Sequence, residues 1–194
     1  MKDSYVNEKK GKLFNPDELH DIAKSVVGLD RSIACDKIIK ELKSRYPKHI
    51  HDELPWIFNN AGGAMGQMKI LHVSFSEYLI LFGTPIGTEG HSGRYSAEVF
   101  DFVFSGEMWC YHEGELERTV YKPGDAAYLK RKQTKGYRVP DGSFMLEYSR
   151  GNIPSMLRFG LADTVFSTVD SRTFWGTIGR SIRLIISELF KRKV

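Results

Sequence analysis

Between Trp56 and Tyr148 the chain is cut every few residues by Gly, Pro and Asp into short apolar or alternating runs. These are Lys69–Phe82, Ala97–Phe104, Met108–His112, Arg118–Tyr121, Ala126–Lys130, Tyr137–Val139 and Phe144–Tyr148. Several short strands at such close spacing predict a sandwich or barrel, antiparallel in the main. The stretch from Asn60 to Tyr95 fits this: a Gly-rich start, an apolar run carrying one carboxylate (Glu77), and a second Gly-rich segment ending in His91, Arg94 and Tyr95.

Helical spacing appears on both flanks. Residues 1–14 are polar and Lys-rich and are expected to be a flexible tail. Asn15 reads as an N-cap with Pro16 at the first helical position and acids in the first turn. Leu19, Ile22, Ala23, Val26 and Val27 follow as an apolar stripe up to Gly28; Asp30 opens a second helix with Ile33, Ile38, Ile39 and Leu42. After Pro154 two more helices are expected, Ser155–Thr168 and Arg172–Phe190. The last sets Phe174, Trp175, Ile178, Ile182, Ile185, Ile186 and Leu189 beside Arg172, Arg180, Arg183, Lys191, Arg192 and Lys193, with Glu188 its single acid. A basic, amphipathic helix with Trp reads as an interfacial membrane contact; the bland reading is a helix packed on the barrel with solvated charges. The expectation is one domain: tail 1–14, N-terminal helices 15–50, β-barrel 56–150 and membrane-facing helices 154–192.

At 194 residues, 41% hydrophobic and 27% charged, the chain suffices for a sizeable core. The net charge of +4 is concentrated at the ends and accompanies no recognition motif, so no nucleic-acid partner is expected. Cys35 and Cys110 have no CxxC spacing and read as buried thiols. The longest apolar run, Tyr78 to Phe82, is far short of the roughly 20 residues a spanning helix needs, so no transmembrane anchor is expected.

Strand periodicity makes two acids conspicuous. In Ala97–Phe104 one face carries Val99, Asp101 and Val103 and the other Phe100, Phe102 and Phe104, so both faces should be buried. Glu147 shares a face with Met145 in an equally apolar run. A buried carboxylate must be paired, hydrogen-bonded or protonated, and a neighbouring acid raises its pKa further. Two acids sharing a proton in an apolar cavity suit protonation of an alkene or stabilisation of a cation; the alternative is that each pairs with an Arg or Lys or lies at a wet strand end. Glu77 is expected to be structural, bonding a hydroxyl or capping a turn. His72, His91 and His112 show no His-x-His pair and no helical spacing, so no metal site is expected. Walker A, GxGxxG and GxSxG patterns are absent.

The blocks NAGGAMGQM, SEYLILFGT and GTEGH, together with GHSGRY, SAEVFD, LEYSRG, IPS and LADTVFSTVD, resemble the fungal sterol C-8 isomerase and sigma non-opioid receptor family, from about Trp56 to Thr168. The first three are similar to the isomerases, the others to the receptors. This resemblance implies a cupin-like barrel closed by two C-terminal helices lying on the membrane, and a homo-oligomer, a trimer in the receptor case. It places the ligand-contacting acid on Glu147 and its partner on Asp101, and the cavity lining on Met68, Ile70, Tyr78, Ile80, Phe82, Val99, Met156, Leu157 and Gly160. The implied activity is a shift of a sterol double bond from the 8 to the 7 position by protonation and deprotonation, with no cofactor; the alternative is a non-catalytic binder of cationic amphiphiles or sterols. A third reading is an unrelated small-molecule isomerase on the same barrel, in an organism lacking sterols. The implied location is peripheral to a membrane, at the endoplasmic reticulum in a eukaryote. Ala64 stands where the receptors carry a large aromatic, which predicts a wider cavity on that side.

Overall fold

A computed structural model describes residues 11–191, and the alternation read from the sequence becomes two antiparallel sheets. The strands are β1 (Ile57–Ala61), β2 (Ala64–Val73), β3 (Glu77–Thr84), β4 (Thr88–His91), β5 (Ala97–Ser105), β6 (Met108–Tyr111), β7 (Thr119–Tyr121), β8 (Ala126–Leu129), β9 (Gly136–Val139) and β10 (Ser143–Gly151). Helices α1 (Pro16–Lys24) and α2 (Arg31–Arg45) precede them, and α3 (Ile153–Phe166) and α4 (Ser171–Lys191) follow. One sheet has the order β1-β2-β3-β10-β5-β8 and the other β4-β9-β6-β7. The mainly β architecture with flanking helices is as expected, with the strands in two sheets rather than one hydrogen-bonded closed barrel.

The expected run Lys69–Phe82 is two strands. Ser74 breaks it: its hydroxyl accepts from the Glu77 N–H at 3.1 Å, and its own N–H donates to the Glu77 carbonyl at 2.8 Å. Serine side chains that bond nearby backbone offer the chain an alternative to the ladder, and here that alternative makes a turn. Gly62 and Gly63, with φ of 63° and 85°, link β1 to β2 in the two-residue hairpin that requires positive φ at both positions.

The central sheet is buried on both faces. Phe100, Phe102, Phe104, Leu79, Leu81, Leu146 and Tyr148 point outward and pack with Leu19, Ile22, Ile38 and Leu42 of α1 and α2. Val99, Val103, Ile80, Phe82 and Met145 point inward toward Met108, Leu129, Val139 and, from α3 and α4, Met156, Leu184 and Ile185. Ile33, expected in the α2 stripe, is solvent-facing.

The tail expected through residue 14 is shorter. Phe14 is buried, and the N–H groups of Leu13 (2.9 Å) and Phe14 (3.2 Å) donate to the Glu77 carboxylate, which also accepts from the Tyr148 hydroxyl at 2.8 Å. Residues 1–10 lie outside the described residues. Glu77 is thus the structural acid expected, fastening the strap before α1 to the sheet. Glu77→Ala leaves these donors without that acceptor; at about 1–3 kcal/mol for each buried unsatisfied group, urea denaturation is expected to show a loss of at least that size.

Candidate active site

Glu147 sits on β10, the strand between β3 and β5, so its neighbours come from both sides. Its cross-strand partner on β5 is Asp101 and on β3 is Ile80. Directly opposed residues in such a ladder hold their Cβ atoms roughly 4.5–5.5 Å apart, so the two carboxyls share one face at contact range. The Tyr78 hydroxyl reaches diagonally along β3 and donates to Glu147 Oε1.

The surroundings are apolar: a cavity between the sheets, covered by α3 and α4. All the expected lining residues meet there: Met68, Ile70, Tyr78, Ile80 and Phe82 from β2 and β3, Val99 and Asp101 from β5, Glu147 from β10, and Met156, Leu157 and Gly160 from α3. Val73, Tyr95, Met108, Leu129, Tyr137, Met145 and Phe159 complete much of the wall, with Thr177 and Ser181 of α4. Ala64 is not among the lining residues; its methyl packs beside Gly90, so the widening expected there does not follow from it.

Sequence reasoning missed one charged group. Lys135, between β8 and β9, enters the same cavity, and its ammonium lies 2.7 Å from Asp101 Oδ2 with both side chains about 5% exposed or less. Its backbone is pinned by Ser92, whose N–H donates to the Lys135 carbonyl at 3.0 Å and whose hydroxyl accepts from the Lys135 N–H at 2.9 Å. The only hint in the sequence was Asp101 itself, a buried carboxylate in need of a counter-ion.

The pair divides the acids' roles electrostatically. Burial, and then the Asp101 carboxylate, raise Glu147 to about 8, although Tyr78 and Lys135 pull the other way. Burial opposes charge on Lys135, but Asp101, with Cys110 and Glu147 in support, holds its pKa above the ordinary lysine value. The site therefore sets a buried Lys135–Asp101 ion pair beside a Glu147 whose pKa is pushed up toward its acid form. Burial and the nearby acids also raise the Tyr78, Tyr95 and Tyr137 phenols, which remain neutral donors.

Of the three histidines singled out by sequence, His91 lines the cavity and meets the Thr134 hydroxyl at 3.0 Å. His112 bonds the Thr134 carbonyl at 2.9 Å, while His72 packs against Phe14 and His49 outside the cavity. Cys35 and Cys110 are buried free thiols, as expected.

Among solved structures the chain is similar in fold to KdgF from Halomonas sp. (TM-score 0.45, 21% identity, 56% of this chain and 97% of that one) and to an RmlC-like cupin from Shewanella frigidimarina (TM-score 0.42, 17% identity, 53% and 87%). Sequence similarity is far greater. The C-8 sterol isomerase erg2 of Aspergillus fumigatus is 44% identical over 185 residues, covering 93% of this chain and 77% of the relative. The C-8 sterol isomerase of Neurospora crassa is 45% identical over 186 residues (93% and 73%). The sigma non-opioid intracellular receptor 1 of Gallus gallus is 44% identical over 167 residues (85% and 75%). The family model described as "ERG2 and Sigma1 receptor like protein" matches residues 3–193, so the acid pair, the cavity and the helices that cover it all lie within the match, and the chain belongs to that family.

Proposed function

We propose that the protein is a sterol C-8 to C-7 double-bond isomerase, with Glu147 as proton donor and Asp101 as the resident carboxylate. The observation that carries this is the Lys135–Asp101 ion pair beside a Glu147 raised to about 8. It favours Glu147 over Asp101 as the acid that holds the proton, a choice periodicity leaves open. The close similarity to enzymes named C-8 sterol isomerase supports the same reading.

Tyr78 donates to Oε1 of Glu147, which leaves Oε2 to carry the acidic proton. Glu147 delivers it to C9 of the sterol, and the 8,9 double bond becomes a carbocation at C8. The Asp101 carboxylate, preorganised by Lys135, stabilises that charge within a water-poor cavity. Asp101 then accepts a proton from C7 and the 7,8 double bond forms. One proton enters and one leaves, and transfer between the adjacent carboxyls restores the starting state. Asymmetric tuning of two carboxyls is a recurrent way to run acid and base steps at one pH.

A yeast strain lacking its C-8 isomerase tests the reading: with this chain expressed, mass spectrometry is expected to find 7-unsaturated sterols. Accumulation of 8-unsaturated sterols alone, from a well-expressed chain, overturns it. The second reading, a binder of cationic amphiphiles, is favoured by the equally similar sigma receptor relative. The two make opposite demands on Glu147. Isomerisation needs the acid form, so turnover is expected to fall as pH rises through about 8. Ammonium binding needs a net negative site, which exists only once Glu147 ionises beside the neutralised Asp101–Lys135 pair. Affinity for a quaternary ammonium amphiphile, which does not itself titrate, is expected to rise through the same pH range in calorimetry.

The reading includes peripheral attachment to a membrane, at the endoplasmic reticulum in a eukaryote. Among the described residues no helix is long and apolar enough to cross a bilayer. Trp175, Ile182, Ile186 and Leu189 nevertheless form an exposed apolar stripe along α4, with Phe166 and Phe190 exposed near its ends. Such a stripe beside the cavity's cover would let an apolar substrate pass from lipid without crossing water.

A further inference from the structure

Four side chains of metal-ligand type converge well away from the cavity, where the end of α4 meets the chain after α2 and strand β2. His72 is 1% exposed, and its Nδ1 lies 3.0 Å from the His49 carbonyl. A carbonyl only accepts, so Nδ1 carries the hydrogen and Nε2 the lone pair. That Nε2 is buried and makes no hydrogen bond among the described residues. His51 repeats the pattern: its Nδ1 is 3.2 Å from Glu53 Oε1, and its Nε2 is buried, without a hydrogen bond, and 4.0 Å from Glu188 Oε1. Glu188 is itself 3% exposed, and its Oε2 lies 2.6 Å from His49 Nδ1. One ligand atom from each of His49, His72 and Glu188 falls within 4.8 Å of the others.

We propose that His49, His72 and Glu188 form a structural site for a divalent transition metal of the zinc type, with His51 the nearest further donor. Two imidazoles and one carboxylate, with a fourth position for His51 or water, are a donor set that suits such an ion, whereas calcium and magnesium take oxygen. In metal sites a ligating imidazole usually donates its second N–H to a carbonyl or carboxylate, and the His49 carbonyl and Glu53 hold His72 and His51 in that tautomer. The cation already facing the cluster is Lys191, 2.7 Å from Glu188 Oε1; its side chain is partly exposed and can turn to water once a metal neutralises Glu188. None of these residues lines the cavity, so the ion would not enter the isomerase chemistry. It would clasp α4, which covers the cavity, to β2, which lines it.

Zinc titrated calorimetrically into the metal-stripped full chain is expected to bind with one equivalent per chain and to raise the melting temperature. Cobalt substituted for zinc is expected to show the intense visible bands of a tetrahedral site. Glu188→Gln and His72→Gln should each weaken binding at least about tenfold. A cobalt spectrum no different from that of the hydrated ion overturns the proposal, and so does equal binding by folded variants, which would mark adventitious surface binding. Should both variants fail to fold, the wild-type cobalt spectrum decides alone.

Discussion

Glu147→Gln is expected to lower isomerase turnover by about 10²–10⁴-fold, the usual contribution of a positioned general acid, while leaving the fold intact. The amide keeps the shape and an oxygen to accept the Tyr78 hydroxyl, and it removes no charge at neutral pH because Glu147 is held protonated by burial and Asp101. Stability and activity should therefore separate in this variant. A carboxyl whose folded pKa is raised from 4.5 to about 8 favours the native state fully below the lower value, and that contribution is lost as pH rises through the higher. Glutamine has no proton to lose, so thermal denaturation should show a flatter pH profile for the variant and equal or greater stability at pH 8. Sterol mass spectrometry on the complemented yeast strain gives the activity side. Turnover within a few-fold of wild type would remove Glu147 from the donor role.

The acid pair was legible because period-two alternation tells which residues share a face. Val99, Asp101 and Val103 do point into the inner core and Phe100, Phe102 and Phe104 into the outer one. The opposition of Asp101 and Glu147 was not legible, since register depends on how β10 inserts between β3 and β5. Lys135 was hidden for a different reason. It lies in Lys130-Arg131-Lys132-Gln133-Thr134-Lys135, a run that reads as solvated charge, and only the fold shows that its last member turns inward. The strap at Leu13 and Phe14 was masked by the Lys-rich stretch before it. The histidine cluster had one signal, His49-Ile50-His51, but it lies ahead of the first strand, and the expectation of no metal site rested on His72, His91 and His112. Contacts between positions 49, 72 and 188 are set by where α4 docks, which no local pattern encodes.

Lys135→Met is expected to destabilise the protein by about 3–5 kcal/mol at neutral pH, the cost of leaving a buried carboxylate without its counter-ion. Methionine retains most of the aliphatic stem, so the loss reports the missing ammonium rather than a cavity. Adding Asp101→Asn removes the stranded charge and should recover most of the stability, because a matched neutral pair need not be worse than a buried ion pair. Activity should not recover with it. The double variant keeps Glu147 and Tyr78 but has lost the second carboxyl, the one that accepts the C7 proton. A folded, inactive double variant beside an unstable single one would separate the two contributions of the pair: Lys135 is the counter-ion that Asp101 has in the core, and Asp101 in turn helps keep the proton on Glu147.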